Sequence, residues 1–110
     1  MTLKELIEYL HQKDQGQESV IGLARPELWC FSDDVVKFNF DDSITFGEMA
    51  DTARGLIGAK LSGSKHQKVE VHENMQCVLC PTMFQDGLIL TDEFLDWLFS
   101  CPEPYYLLGT

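Results

Sequence analysis

The sequence predicts an α+β domain: a mainly antiparallel sheet of four to six short strands, with about three helices packed against it as a single pair of layers. Three observations predict it. Segments near residues 35–40 and 68–72 alternate apolar and polar side chains with the two-residue period of strands. Three other segments open on a threonine and continue with apolar residues at helical spacing. The order of these segments, α-β-β-α-β-β-(β)-α-β, sets hairpins between helices, although a parallel unit across the second helix stays open. At 110 residues and 45% hydrophobic content, the chain is expected to form one domain, 1–110, without disulfide or metal staples.

The first helix opens at Thr2. Thr2 and Glu5 have the spacing of a capping box, in which each side chain satisfies a backbone donor of the first turn. Leu3, Leu6, Ile7 and Leu10 then share one face, and Gly16 is the expected stop. Leu28 to Phe31 is a short aromatic strand. Val35 to Phe40 follows, with Val36, Phe38 and Phe40 facing one way and Lys37 and Asn39 the other. Ser32-Asp33-Asp34 suits the turn between them, and Asp41-Asp42-Ser43 suits the end of the second strand.

Thr45 and Glu48 repeat the capping box before a second helix, expected over Phe46 to Leu61. Phe46, Met49, Ala50, Ala53 and Ile57 line its inner face. Gly47, Gly55 and Gly58 each weaken it by roughly 1 kcal/mol relative to alanine. Residues 62–67, rich in Gly and Ser, read as an exposed loop. Lys68 to His72 alternates as a strand, Glu73-Asn74 is a tight turn, and Met75 to Cys80, with Phe84 as the alternative end, reads as a strand buried on both faces. Pro81 must end that strand or sit on an edge, since it has no amide to donate. Gln85-Asp86-Gly87 is a turn and Leu88-Ile89-Leu90 a short strand. Thr91 caps a third helix from Asp92 to Ser100, with Phe94, Leu95 and Leu98 inward and Trp97 and Phe99 widening the apolar arc. Pro102 and Pro104 stop it, and Tyr105-Tyr106-Leu107-Leu108 is apolar enough to dock as an edge strand.

Charge is the strongest global feature. The chain carries −10, with 18 acids against 8 bases. Every base lies at or before Lys68. The last 42 residues hold seven acids (Glu70, Glu73, Asp86, Asp92, Glu93, Asp96, Glu103) and carry −7, which leaves −3 on the first 68. Such a field repels nucleic acid and anionic lipid and steers basic partners inward. Arg54, Lys60, Lys65 and Lys68 form a small basic cluster that reads as a solvated face. No apolar run approaches the ~18 residues of a membrane span, and the charged N-terminus does not resemble a secretory leader. A cytoplasmic location is the expectation.

Cys77-Val78-Leu79-Cys80 is the one familiar motif. A zinc site would need two further ligands from His66, His72, Cys30 and Cys101, with His72 the nearest in sequence. A redox pair belongs at a helix N-terminus, whereas this pair ends an apolar strand. In a strand the odd offset also turns the two thiols to opposite faces. Core packing is the simplest role for all four cysteines, and neither metal nor cofactor is expected. Asp33-Asp34 and Asp41-Asp42 bracket one strand about 20 Å long and cannot share a metal. His11, His66 and His72 are scattered, and no residue is assigned a catalytic role.

The most informative segment is C-terminal. Trp97, Tyr105 and Tyr106 stand among Asp92, Glu93, Asp96 and Glu103. Aromatic anchors with an acidic surround suit binding to a basic protein. The competing role for these aromatics is simply core. The expectation is a small acidic domain that neutralises or inhibits a basic partner without catalysis. In size and charge this matches the specification of immunity proteins, antitoxins and anti-defence inhibitors. The alternatives are a zinc- or thiol-dependent module at Cys77 and Cys80, or a subunit of a larger assembly joined through residues 105–108.

Overall fold

The computed structural model describes residues 1–13, 19–29, 32–63, 65, 67–80 and 87–100. Helix α1 covers Leu3–Lys13. Its capping box forms as expected: the Thr2 amide donates to Glu5 Oε1 at 2.9 Å, and the Glu5 amide donates to Thr2 Oγ1 at 3.2 Å. Leu3, Leu6 and Leu10 are fully buried beneath it, and Ile7 packs at their edge. The expected stop at Gly16 lies outside the described residues.

Strand β1 runs over Ser19–Trp29 and β2 over Ser32–Thr45, an antiparallel pair far longer than the pattern predicts. Three features hide β1 in the sequence. Gly22 interrupts the alternation, yet a side chain of helix α2 (Phe46–Leu56) fills the space beside it: a Cβ there would lie 2.6 Å from Met49 Sδ. Arg25 has φ +49°, inside a register shift between Ala24 and Glu27, so the strand bulges. Pro26 is tolerated because β1 ends the strand order, and among the described residues none forms a ladder on its far side.

The expected turn at Ser32-Asp33-Asp34 is corrected: these residues open β2, because Ser32 already pairs with Trp29. Asp41-Asp42-Ser43 does not end the strand either. Asp41 Oδ1 accepts the Ser43 amide at 2.9 Å, a turn-type bond. Here it accompanies the irregularity between Val20 and Gly22, and pairing continues to Ser19 opposite Thr45.

Helix α2 starts as expected, with Thr45 Oγ1 accepting the Glu48 amide at 3.1 Å. It ends at Leu56, five residues short of Leu61. Gly58 takes φ +83° and donates its amide to Val71 O at 2.8 Å, and Val71 donates back to Ala59 O at 2.8 Å. That exchange turns the chain into strand β3, Lys60–Ser62, which pairs antiparallel with β4, Lys68–Glu70, as a separate two-stranded sheet. Met49, Ala50, Ala53 and Leu56 form the buried face, and Ile57 is exposed rather than inward.

Strand β5, Gln76–Leu79, pairs parallel with β2, so the route through α2 is the crossover that the sequence left open. Strand β6, Leu88–Ile89, pairs antiparallel with β5. The four-stranded sheet has the order β1-β2-β5-β6 and is mainly antiparallel. Val36, Phe38, Cys77 and Leu79 present one face to all three helices and share a single core with Leu3, Leu6, Met49, Leu95 and Leu98. Helix α3, Asp92–Ser100, is capped by Thr91, whose Oγ1 accepts the Phe94 amide at 3.1 Å.

Lys37 lies on the opposite sheet face, as alternation predicts, but is only 7% exposed. It forms an ion pair with Glu27, the residue directly across on β1. Among the described residues, no helix is long and apolar enough to cross a membrane.

Candidate functional site

Helix α3 buries Leu95 and Leu98 completely. The helical period therefore turns Asp92, Glu93, Asp96 and Trp97 outward as two adjacent i, i+4 pairs. All four are exposed, and Trp97 keeps 45% of its surface in solvent. The core role weighed for Trp97 is thereby corrected: it caps half-buried Phe94, ring centroids 5.9 Å apart, from the outside. Phe99 goes the other way. It packs edge-on against Phe46 at 4.9 Å and beside Tyr9 at 6.0 Å.

The three acids are not equivalent. The Tyr9 hydroxyl donates to Asp96 Oδ1, and Lys13 Nζ stands 3.7 Å from the same oxygen and 5.5 Å from the Tyr9 ring centroid. Asp96 is thus shared with α1, while Asp92 and Glu93 project from the first turn of α3. Burial, with the hydrogen bond to Asp96 and its charge, holds the Tyr9 hydroxyl protonated well above the usual phenol range. Tyr9 therefore stays a donor at any physiological pH. The Lys13–Asp96 pair is exposed on both sides and contributes little beyond placing a cation at the rim.

Sequence reading missed Tyr9, which stands 87 residues from the acid it joins, and Lys13, which reaches the same carboxylate. The available signal was their i, i+4 spacing on the flank of the leucine stripe. It also missed that β6, two residues before α3, leaves Leu88 39% and Ile89 69% exposed. Glu103, Tyr105 and Tyr106, predicted to share this surface, lie outside the described residues.

The other candidates separate in space. Cys77 and Cys80 are both buried, while His72 is exposed at the turn after β4. Burial pushes the Cys77 thiol up to about 12, the opposite of an activated thiol. Among the described residues, no group of three His, Cys, Asp or Glu side chains is placed to hold a metal ion. Cys30, His66 and Cys101 lie outside them. Asp33 reaches the β3–β4 loop, where Gln67 Nε2 donates to its Oδ2 at 3.3 Å, so it serves the hairpin rather than pairing with Asp41.

No family model matches the chain, and no curated protein or solved structure matches it either.

Proposed function

We propose that this chain is a small acidic protein-binding domain that neutralises a basic partner protein and carries out no catalysis itself. The observation that supports the reading best is the outward stripe of α3: a tryptophan 45% exposed beside Asp92, Glu93 and Asp96, in a stretch of 42 residues without one base. An aromatic side chain left half in water loses hydrophobic free energy that a partner would recover. Acids around it raise the local concentration of a basic surface and speed its encounter. Neutralising or inhibiting the partner, in the manner of immunity proteins and antitoxins, is the finer form of the proposal. It rests on size and charge.

The test is affinity capture from native extract with the tagged chain at ~0.15 M and ~0.5 M salt, both eluates being identified by mass spectrometry. The reading expects one basic protein at low salt, depleted at high salt. Capture that is indifferent to salt, or capture of acidic proteins, overturns it.

A further inference from the structure

The two end strands of the four-stranded sheet are built differently. In β1, Pro26 has no amide to offer and the bulge at Arg25 breaks the regular ladder, two devices that discourage a further strand. β6 ends the strand order on the other side and has no charge, no proline and no register shift. Leu88 is 39% exposed and Ile89 69%. Leu90 donates its amide to Cys77 O at 3.4 Å, so by antiparallel alternation Leu88 and Leu90 turn their backbone groups toward β5. Ile89 turns its N–H and C=O outward, and among the described residues none pairs with them. The register also fixes what lies on each side of this edge. Leu88 stands opposite Leu79, which faces the helices, so that side opens toward α3. Asp92 and Glu93 follow Ile89 by three and four residues and lie at most about 11 and 14 Å from it. Ile89 stands opposite Val78 on the other face, away from the helices.

We propose that the edge of β6 receives an extended segment of the basic partner as a further strand, with lysine or arginine on the α3 side alternating with β-branched residues on the Ile89 side. The proposal rests on the reading of α3 as the surface that meets a basic protein. To that reading it adds a backbone mode of recognition and a sequence pattern for the docking segment. Period-2 alternation puts every second side chain of an added strand on the α3 side, where Asp92 and Glu93 favour a cation. The side chains between them fall beside Ile89, where an apolar residue covers exposed apolar surface. A second copy is the poorer occupant, because each chain carries −10 and its last 42 residues hold no base to meet the acids of the other. The ladder on offer is short. Charge and side-chain burial therefore supply most of the affinity, and the backbone groups of Ile89 set the register.

Two peptides of equal charge test it against the full-length chain by residue-resolved NMR at ~0.15 M salt. One is acetyl-Lys-Val-Lys-Val-Lys-Val-Lys-amide. The other has the same sequence with every backbone amide N-methylated, which keeps the charge and blocks strand pairing. The first is expected to bind with a Kd below about 1 mM, to shift the Ile89 amide and to slow its exchange about 10-fold near saturation. The N-methylated peptide should bind at least about 10-fold more weakly, since the hydrogen bonds to Ile89 are lost. Ile89→Pro removes a donor that β5 does not use, so Leu6 and Leu10 should stay protected while the first peptide loses about 10-fold in affinity. Equal binding by both peptides, with shifts at Asp92, Glu93 and Trp97 but none at Ile89, overturns the added strand and leaves the reading of α3 standing. Full binding by Ile89→Pro overturns it in the same way. No shift at either place overturns the added strand and counts against the reading of α3 as well. An Ile89 amide already protected in the free chain overturns the proposal, because the edge is then occupied.

Discussion

Tyr9 donates its hydroxyl to Asp96, and this single bond joins the first helix to the last across 87 residues of sequence. It also divides the α3 surface into an acid held by the fold and two acids, Asp92 and Glu93, that project freely into solvent. Tyr9→Phe should therefore lower stability by about 0.5–1.5 kcal/mol, the ordinary worth of one hydrogen bond. Urea unfolding measures the cost. The variant should leave partner capture through Asp92, Glu93 and Trp97 intact, and a loss of capture would show that Asp96 must be held for binding.

Gly22 is required by packing. Gly22→Ala sets a Cβ against Met49 Sδ, the sulfur that accepts the Leu23 amide at 3.3 Å. The expected cost is about 1–3 kcal/mol. In a Met49→Ala background the same substitution should cost less, because the obstructing sulfur is gone. Equal costs in both backgrounds, by denaturant midpoint, would place the penalty elsewhere.

Two ion pairs should respond differently to losing an acid. Glu27→Ala strips a carboxylate from Lys37, whose side chain is 9% exposed, and should cost about 1–3 kcal/mol. Asp51→Ala strips one from Arg54, whose side chain is 47% exposed, and should cost less than about 0.5 kcal/mol. Similar costs would mean that solvent reaches Lys37 in solution.

Cys77 should resist thiol reagents at pH 8 in the native protein and react once urea unfolds it, with peptide mapping to separate it from the other cysteines. Its thiol is raised from an ordinary 9.0 to about 12 by burial, so folding favours the protonated form. The stability this contributes is present below pH 9 and is lost as pH rises toward 12. Cys77→Ala should flatten that alkaline loss. A native thiol that labels rapidly at pH 8 would revive a thiol-dependent role.

Much of this fold is legible where local chemistry acts alone. Thr2 with Glu5, Thr45 with Glu48, and Thr91 mark the helix starts because a cap is satisfied within three residues. The acidic face of α3 is legible because helical spacing separates Leu95 and Leu98 from Asp92, Glu93 and Asp96, whereas the side on which Trp97 lies is not, since an apolar ring fits the core stripe and the surface equally well. What stays hidden depends on distant partners. Residues 19–27 become a strand because β2 supplies the ladder and Met49 the reason for Gly22. Helix α2 stops at Leu56 because Val71 accepts the Gly58 amide. Lys37 is buried because Glu27 faces it across the hairpin.

The most direct test of the α3 surface compares the wild-type chain with a triple variant, Asp92→Lys, Glu93→Lys and Trp97→Ala, as paired baits in the same extract. Trp97 covers Phe94 and the two acids lie at the positive end of the α3 dipole, so the triple variant should lose about 1–3 kcal/mol yet stay folded, which urea unfolding checks before the comparison. The account predicts that the basic protein retained by the wild-type chain is absent from the variant eluate. The same protein captured equally by both baits would contradict it.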